Sequence, residues 1–279
     1  MRELDVTSAD GRTLHAYDTG GDGLAVFWHH GTPNIGTPPE PLFGVSADLG
    51  LRWISYDRPS YGGSSPHPGR DVAAVVGDVA TVADSLGVER FAVVGHSGGG
   101  SYALGCAALL PDRVLAAVSV SGLAPYGVAG LDWFAGMADS GVASLRAAVA
   151  GRAAKERQLA AEEDGAGGFV PADFAALDGE WSWFGSVVRP AVASGPGGHV
   201  DDDLTYVAPW GCDPTTITAP TLLLHGGADR VVPVGHGHWL AAHVPPAELR
   251  TYPDDGHISV LRHAPHALRW LRTQVGGAR

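Results

Sequence analysis

The stretch Phe91-Ala92-Val93-Val94-Gly95-His96-Ser97-Gly98-Gly99 constrains the fold more than any other part of the chain. A short apolar run stops at a G-x-S-x-G turn, and a helix rich in alanine and leucine is predicted from about 99 to 110, closed by Pro111-Asp112. Residues 114–121 then read as a second apolar strand, and a β-α-β unit of this kind requires a parallel pair. The pattern extends both ways. Upstream, strands are predicted at 4–7, 13–18, 24–28 and 52–56, and a helix at 72–86, where valines recur at three- and four-residue steps and Gly87 stands at the C-cap. Downstream, a strand at 221–225, a helix at 234–243, a strand at 248–252 and a helix at 258–275 repeat the alternation. Such a chain builds a mostly parallel sheet with helices on both faces. The composition supplies the core, with 45% hydrophobic and 17% charged residues.

Charge narrows the range of partners. The 279 residues carry 18 basic and 30 acidic side chains, a net charge of −12, and the basic residues form no stripe that could neutralise phosphates. Nucleic acid is therefore not expected, and a small-molecule substrate is. The amino terminus is polar and lacks an apolar leader core, and no run approaches the roughly 18 apolar residues of a membrane span, so the expected location is the cytoplasm without membrane attachment. Cys106 and Cys212 are too few for a disulfide framework and are expected to be plain thiols.

Residues 122–219 break the alternation. Helices are predicted at 131–138, 142–163 and 171–188, no strand is predicted, and glycine-rich joints at 165–168 and 195–198 could serve as hinges or as surface loops. The expected organisation is a core formed by 1–121 and 220–279, with 122–219 inserted as a helical cap.

Ser97 sits where a strand turns sharply into a helix, which leaves its hydroxyl protruding above the sheet and the helix amides near any developing negative charge. A serine hydroxyl is a weak nucleophile at neutral pH and needs a histidine base oriented by a carboxylate. Asp229, in Gly226-Gly227-Ala228-Asp229-Arg230, and His257, in Asp254-Asp255-Gly256-His257, follow two later strands and can reach the same sheet edge in the order serine, acid, histidine. Ser97, Asp229 and His257 are thus the candidate catalytic residues. A base of this kind works only when neutral, so activity should fall on acidification.

With these motifs the chain resembles the α/β-hydrolase superfamily over essentially its whole length. His29-His30-Gly31-Thr32-Pro33 is similar to that family's HGxP segment, and Asp57-Arg58-Pro59-Ser60-Tyr61-Gly62-Gly63-Ser64 to its D-x-x-G-x-G-x-S loop. The resemblance implies the α/β-hydrolase fold, an eight-stranded, mostly parallel sheet with an inserted cap. It also implies an oxyanion hole formed by the backbone amides of Thr32 and Gly98, and no cofactor. Relatives with dehalogenase or epoxide-hydrolase chemistry carry aspartate where this chain has Ser97, so those chemistries are disfavoured. The reaction expected is hydrolysis of a small or medium ester, thioester or lactone through an acyl-enzyme. Two alternatives stay open: an aminopeptidase of the prolyl-iminopeptidase type, and a non-hydrolytic binding or biosynthetic protein on the same fold.

Other residues carry weaker expectations. His30, Trp133, Trp181, Trp183 and Phe184 are candidate substrate contacts, although His30 is as readily a loop-fixing residue and the aromatic residues as readily pack the cap. Asp201-Asp202-Asp203 is expected as a solvated turn or helix start, or, with Glu162, Glu163 and Glu180, as a negative site for a substrate ammonium. Ser101 is expected to pack. His236, His238 and His243 are not expected to bind a metal, because 236 and 238 do not share a helix face.

Overall fold

The computed structural model describes residues 1–161, 167–193 and 195–276. Eight strands form one sheet: β1 (Arg2–Thr7), β2 (Thr13–Asp18), β3 (Leu24–His29), β4 (Leu51–Tyr56), β5 (Phe91–His96), β6 (Val114–Val120), β7 (Thr221–Gly226) and β8 (Ala247–Tyr252). Their order is β1-β2-β4-β3-β5-β6-β7-β8. Only the pairings of β2 with β1 and with β4 are antiparallel.

Side-chain alternation along the strands makes two cores, one on each face of the sheet. In β3 and β5, Ala25, Phe27, Phe91 and Val93 join one core, while Val26, Trp28, Ala92 and Val94 join the other. The first core is covered by α2 (Val72–Ser85), α3 (Gly98–Leu109) and α9 (Gly235–His243), through residues such as Val75, Val79, Tyr102 and Leu240. The second is covered by α10 (Ala264–Gly276), through Ala267, Leu268 and Leu271; the short α1 (Phe43–Asp48), which sequence reasoning did not predict, flanks it through Phe43 and Val45. At α2 the predicted spacing and C-terminal glycine are both present, Gly87 having φ +65°, and Asp71 caps the other end by accepting from the Ala74 amide at 2.7 Å.

Between β6 and β7 the described residues form helices and no strand: α4 (Asp139–Val149), α5 (Arg152–Ala161), α6 (Pro171–Asp178), α7 (Phe184–Ala193) and α8 (Gly197–Tyr206). Three expectations are corrected here. Residues 131–138 form no helix but a turn over 133–136, which ends on Gly136 at φ +86°. The single helix expected over 142–163 is two, divided at Gly151 with φ +101°; its expected end at 162–163 lies outside the described residues, as do 165 and 166 of the first joint. The helix expected over 171–188 divides after Asp178; α8 begins within the joint expected at 195–198 and carries the helix that a helix start at Asp201–Asp203 would open. Among the described residues no helix is long and apolar enough to cross a membrane.

Candidate active site

Strand order reverses between β3 and β5, because the chain leaves β3 for β4 on one side and then places β5 on the other. A crevice opens at the carboxyl ends of strands at such a point. Here it lies between the loop after His29 and the turn after His96, with His29 paired to Gly95. Ser97 is held at φ 58° and ψ −130°, a region costing a non-glycine residue roughly 1–3 kcal/mol. Its backbone is held on both sides, since the Ser97 amide donates to Val120 at 2.8 Å and the Gly100 amide donates to the Ser97 carbonyl at 2.9 Å. Gly99 must be glycine, because a Cβ there would overlap the His29 carbonyl.

Asp229 and His257 meet on the loops after β7 and β8. His257 Nδ1 lies 2.8 Å from Asp229 Oδ2, while Asp229 Oδ1 accepts from the Val231 and Val232 amides at 2.8 and 2.9 Å. Burial pushes the Asp229 carboxyl up, but the charge of His257 and its hydrogen bond outweigh this and hold it below its ordinary range. The His257 loop is gripped by Asp173 of α6, which is fully buried. Its Oδ2 accepts from the His257 amide at 3.2 Å, and its Oδ1 from the Ile258 and Ser259 amides, both at 2.8 Å.

Ser97 and His257 open onto one cavity of about 450 Å³. Thr32 lines it as well, and so do the apolar side chains of Phe169, Leu177, Phe184, Val188 and Ile258. Of the five candidate substrate contacts, Phe184 alone lines this cavity; His30, Trp133, Trp181 and Trp183 are placed elsewhere. His30 Nδ1 donates to the Gly31 carbonyl at 2.8 Å and Nε2 accepts from the Arg58 amide at 3.0 Å, which fixes the loop and the tautomer together. Burial, reinforced by Arg58, keeps that ring neutral. Trp133 donates to the Ala124 carbonyl at 2.9 Å and packs on His236, while Trp181 and Trp183 pack around Phe184. Sequence reasoning missed Phe169, Leu177, Val188 and Ile258 because single apolar residues on separate elements carry no pattern.

The aspartate run is also corrected. Asp201, Asp202 and Asp203 lie in the first two turns of α8, in keeping with the helix-start reading, but all three are buried, so they form neither a solvated turn nor an open acidic site. Asp201 pairs with Arg70 at 3.1 Å and with Arg152, Asp202 with Arg58 at 2.6 Å and Arg70 at 2.7 Å, and Asp203 with Lys155 at 2.8 Å. Cations distant in sequence neutralise the run, which a sequence window cannot show. Glu180 is exposed and borders a different groove, and Glu162 and Glu163 lie outside the described residues.

Among the described residues no group of three or more His, Cys, Asp or Glu side chains could hold a metal ion. His236 Nδ1 accepts from the Ala124 amide at 3.1 Å and its Nε2 donates to Trp133, while His243 stacks on Trp239. Ser101 donates to the Leu123 carbonyl at 3.1 Å inside the core. Both cysteines are free thiols.

A family model described as "alpha/beta hydrolase fold" matches residues 25–264. A non-heme chloroperoxidase of Streptomyces lividans is 36% identical over 123 residues, which is 43% of this chain and 45% of that protein, so the aligned segment spans less than half of that relative. A non-heme haloperoxidase of Rhodococcus erythropolis is 28% identical over 90% of this chain and 92% of its own length. Among solved structures, an esterase from Thermogutta terrifontis superposes with a TM-score of 0.70 at 21% identity, covering 98% of this chain and 99% of the other, a likeness of fold.

Proposed function

Because the chain belongs to the alpha/beta hydrolase fold family, we propose that it is a serine hydrolase that cleaves a small or medium carboxylic ester, thioester or lactone. The observation that carries this reading is the shared cavity of Ser97 and His257, with Asp229 engaging Nδ1 of His257. That contact leaves Nε2 free to take the Ser97 proton.

In the proposed reaction His257 removes the Ser97 proton as Oγ attacks the substrate carbonyl, and the Thr32 and Gly98 amides receive the oxyanion. Collapse of the tetrahedral adduct expels the alcohol or thiol, which takes the proton from His257. Water, deprotonated by the same imidazole, then attacks the acyl-enzyme and releases the carboxylic acid and Ser97. Phe169, Leu177, Phe184, Val188 and Ile258 suit an apolar acyl or alcohol group. Residues 122–219 would act as the cap over that group, since α6 and α7 contribute Leu177, Phe184 and Val188.

Among the described residues no carboxylate lines the cavity, and none of them offers a substrate ammonium a charged partner there, which favours the ester over the aminopeptidase reading. The names of the curated relatives motivate a second arm in the assay, with hydrogen peroxide and a halide added.

The test compares p-nitrophenyl esters of increasing acyl length with aminoacyl-naphthylamides, together with labelling by a fluorophosphonate. Ester turnover is expected, with the label on Ser97. Ser97→Ala should lose at least about a thousandfold in kcat with unchanged circular dichroism. Full activity in that variant, or an unlabelled wild type, would refute the reading.

A further inference from the structure

We propose that Asp202, carried by α8 of the inserted segment, is a positioning residue that sets the direction of the Thr32 amide; the inference rests on the serine-hydrolase reading. Asp202 has no solvent exposure and its two oxygens accept from six donor groups. Arg58 Nε, Arg70 Nη2 and Tyr102 Oη reach Oδ1 at 3.1, 2.7 and 3.0 Å. Arg58 Nη2, Tyr61 Oη and Thr32 Oγ1 reach Oδ2 at 2.6, 3.0 and 2.5 Å. Burial alone would push this carboxyl up, but Arg58 and Arg70 hold it well below the usual range, so it is an anion.

The arrangement acts on the loop after β3 in two ways. Arg58, fixed by Asp202, donates to the His30 carbonyl and, at 3.1 Å, to the Gly31 carbonyl. The Gly31 carbonyl belongs to the same planar peptide as the Thr32 N–H, and in a trans peptide the two point in opposite directions. Holding the carbonyl on Arg58 therefore aims the amide away from Arg58. The Thr32 hydroxyl is fixed independently, donating to Asp202 and receiving from Tyr206 Oη at 2.6 Å.

Tyr206 lies one helical turn after Asp202 and so shares its face of α8. Its hydroxyl occupies the space that a Cβ on Gly98 would need. One face of an inserted helix thus touches both residues whose amides are proposed to hold the oxyanion. The preorganisation of that pair depends on residues 202 and 206, which contribute nothing to the wall of the substrate cavity.

The experiment uses the full chain and Asp202→Asn, which keeps the shape but removes the charge and turns an amide NH₂ toward existing donors. Three quantities are read per folded molecule: kcat and KM for p-nitrophenyl butyrate, the rate of fluorophosphonate labelling, and the affinity for an alkyl trifluoromethyl ketone. The expected result is a loss of about tenfold to a hundredfold in kcat and in labelling rate, with a parallel loss of ketone affinity and KM changed by less than about threefold. Thr32→Val, which removes the hydroxyl and with it its contacts to Asp202, Tyr206 and Arg58 but leaves Asp202 paired with both arginines, should move the same quantities in the same direction by a smaller factor. A folded Asp202→Asn with wild-type kcat and labelling, or one that only melts earlier, overturns the proposal. If that variant does not fold, wild-type kcat and labelling in Thr32→Val overturn it instead. A wild type that is not labelled at all removes the serine-hydrolase reading and this inference with it, a result distinct from any effect confined to the variants.

Discussion

At the scale of single residues, the glycine after Ser97 is required for a reason the motif does not contain. A glycine there reads as turn chemistry, yet the space beside Gly98 is filled by the Tyr206 hydroxyl, which belongs to a distant helix. Gly98→Ala should therefore push Tyr206 off Thr32, lowering fluorophosphonate labelling and kcat together while the sheet stays intact by circular dichroism; unchanged labelling would show that Tyr206 has room to move. The triad candidates were legible because each lies just past a predicted strand, apolar before Ser97 and Asp229 and mixed before His257, in the order such chemistry needs. The burial of Asp201 to Asp203 was not legible for the opposite reason. A run of like charges has its meaning set by its neighbours, and those neighbours, Arg58, Arg70, Arg152 and Lys155, come from other elements.

At the scale of elements, the central strands β3, β5, β6 and β7 and the core helices were readable because burial on both faces imposes apolar runs on strands and an apolar stripe on helices. The helices between β6 and β7 are poorly legible in the sequence. They are short, and left-handed glycines such as Gly151, or turns such as 179–183, divide what periodicity would join. Asp173 shows what such a helix contributes. It accepts from three consecutive amides at the start of the segment that carries His257, the place where a helical turn leaves donors unsatisfied. Asp173→Ala would orphan those buried amides, at roughly 1–3 kcal/mol for each one that finds no water. We expect a melting temperature lower by at least about 4 °C, with Asp173→Asn intermediate, as measured by differential scanning calorimetry. An unchanged melting temperature for the alanine variant would mean that the loop does not depend on this contact.

At the scale of the whole molecule, burial on both sides of the sheet keeps several histidines neutral. Burial holds the His29 and His96 rings down to about 3 and His236 to about 4, and lowers His30 and His225 as well. A histidine in the unfolded chain titrates near about 6.5, so below that pH the unfolded state binds protons that the folded state does not, and stability falls as pH falls. Two groups oppose this trend: His15, raised by Asp5 and Asp57 against its own burial, and Asp57, raised by burial. With five rings against two groups, the melting temperature should drop steadily from pH 7 to pH 5, with a net uptake of roughly three or more protons on unfolding near pH 5. A flat profile would mean that those rings take up protons in the folded state. The sequence by itself determined the alternation of strands and helices, the sharp turn at Ser97 and the loops on which Asp229 and His257 lie, since each is written within a few adjacent residues. Only the tertiary structure decided which side chains wall the cavity and how Asp202 and Tyr206 reach the loop of Thr32. Those relations join residues far apart in the chain, and their energy depends on burial and on cations that no local window contains.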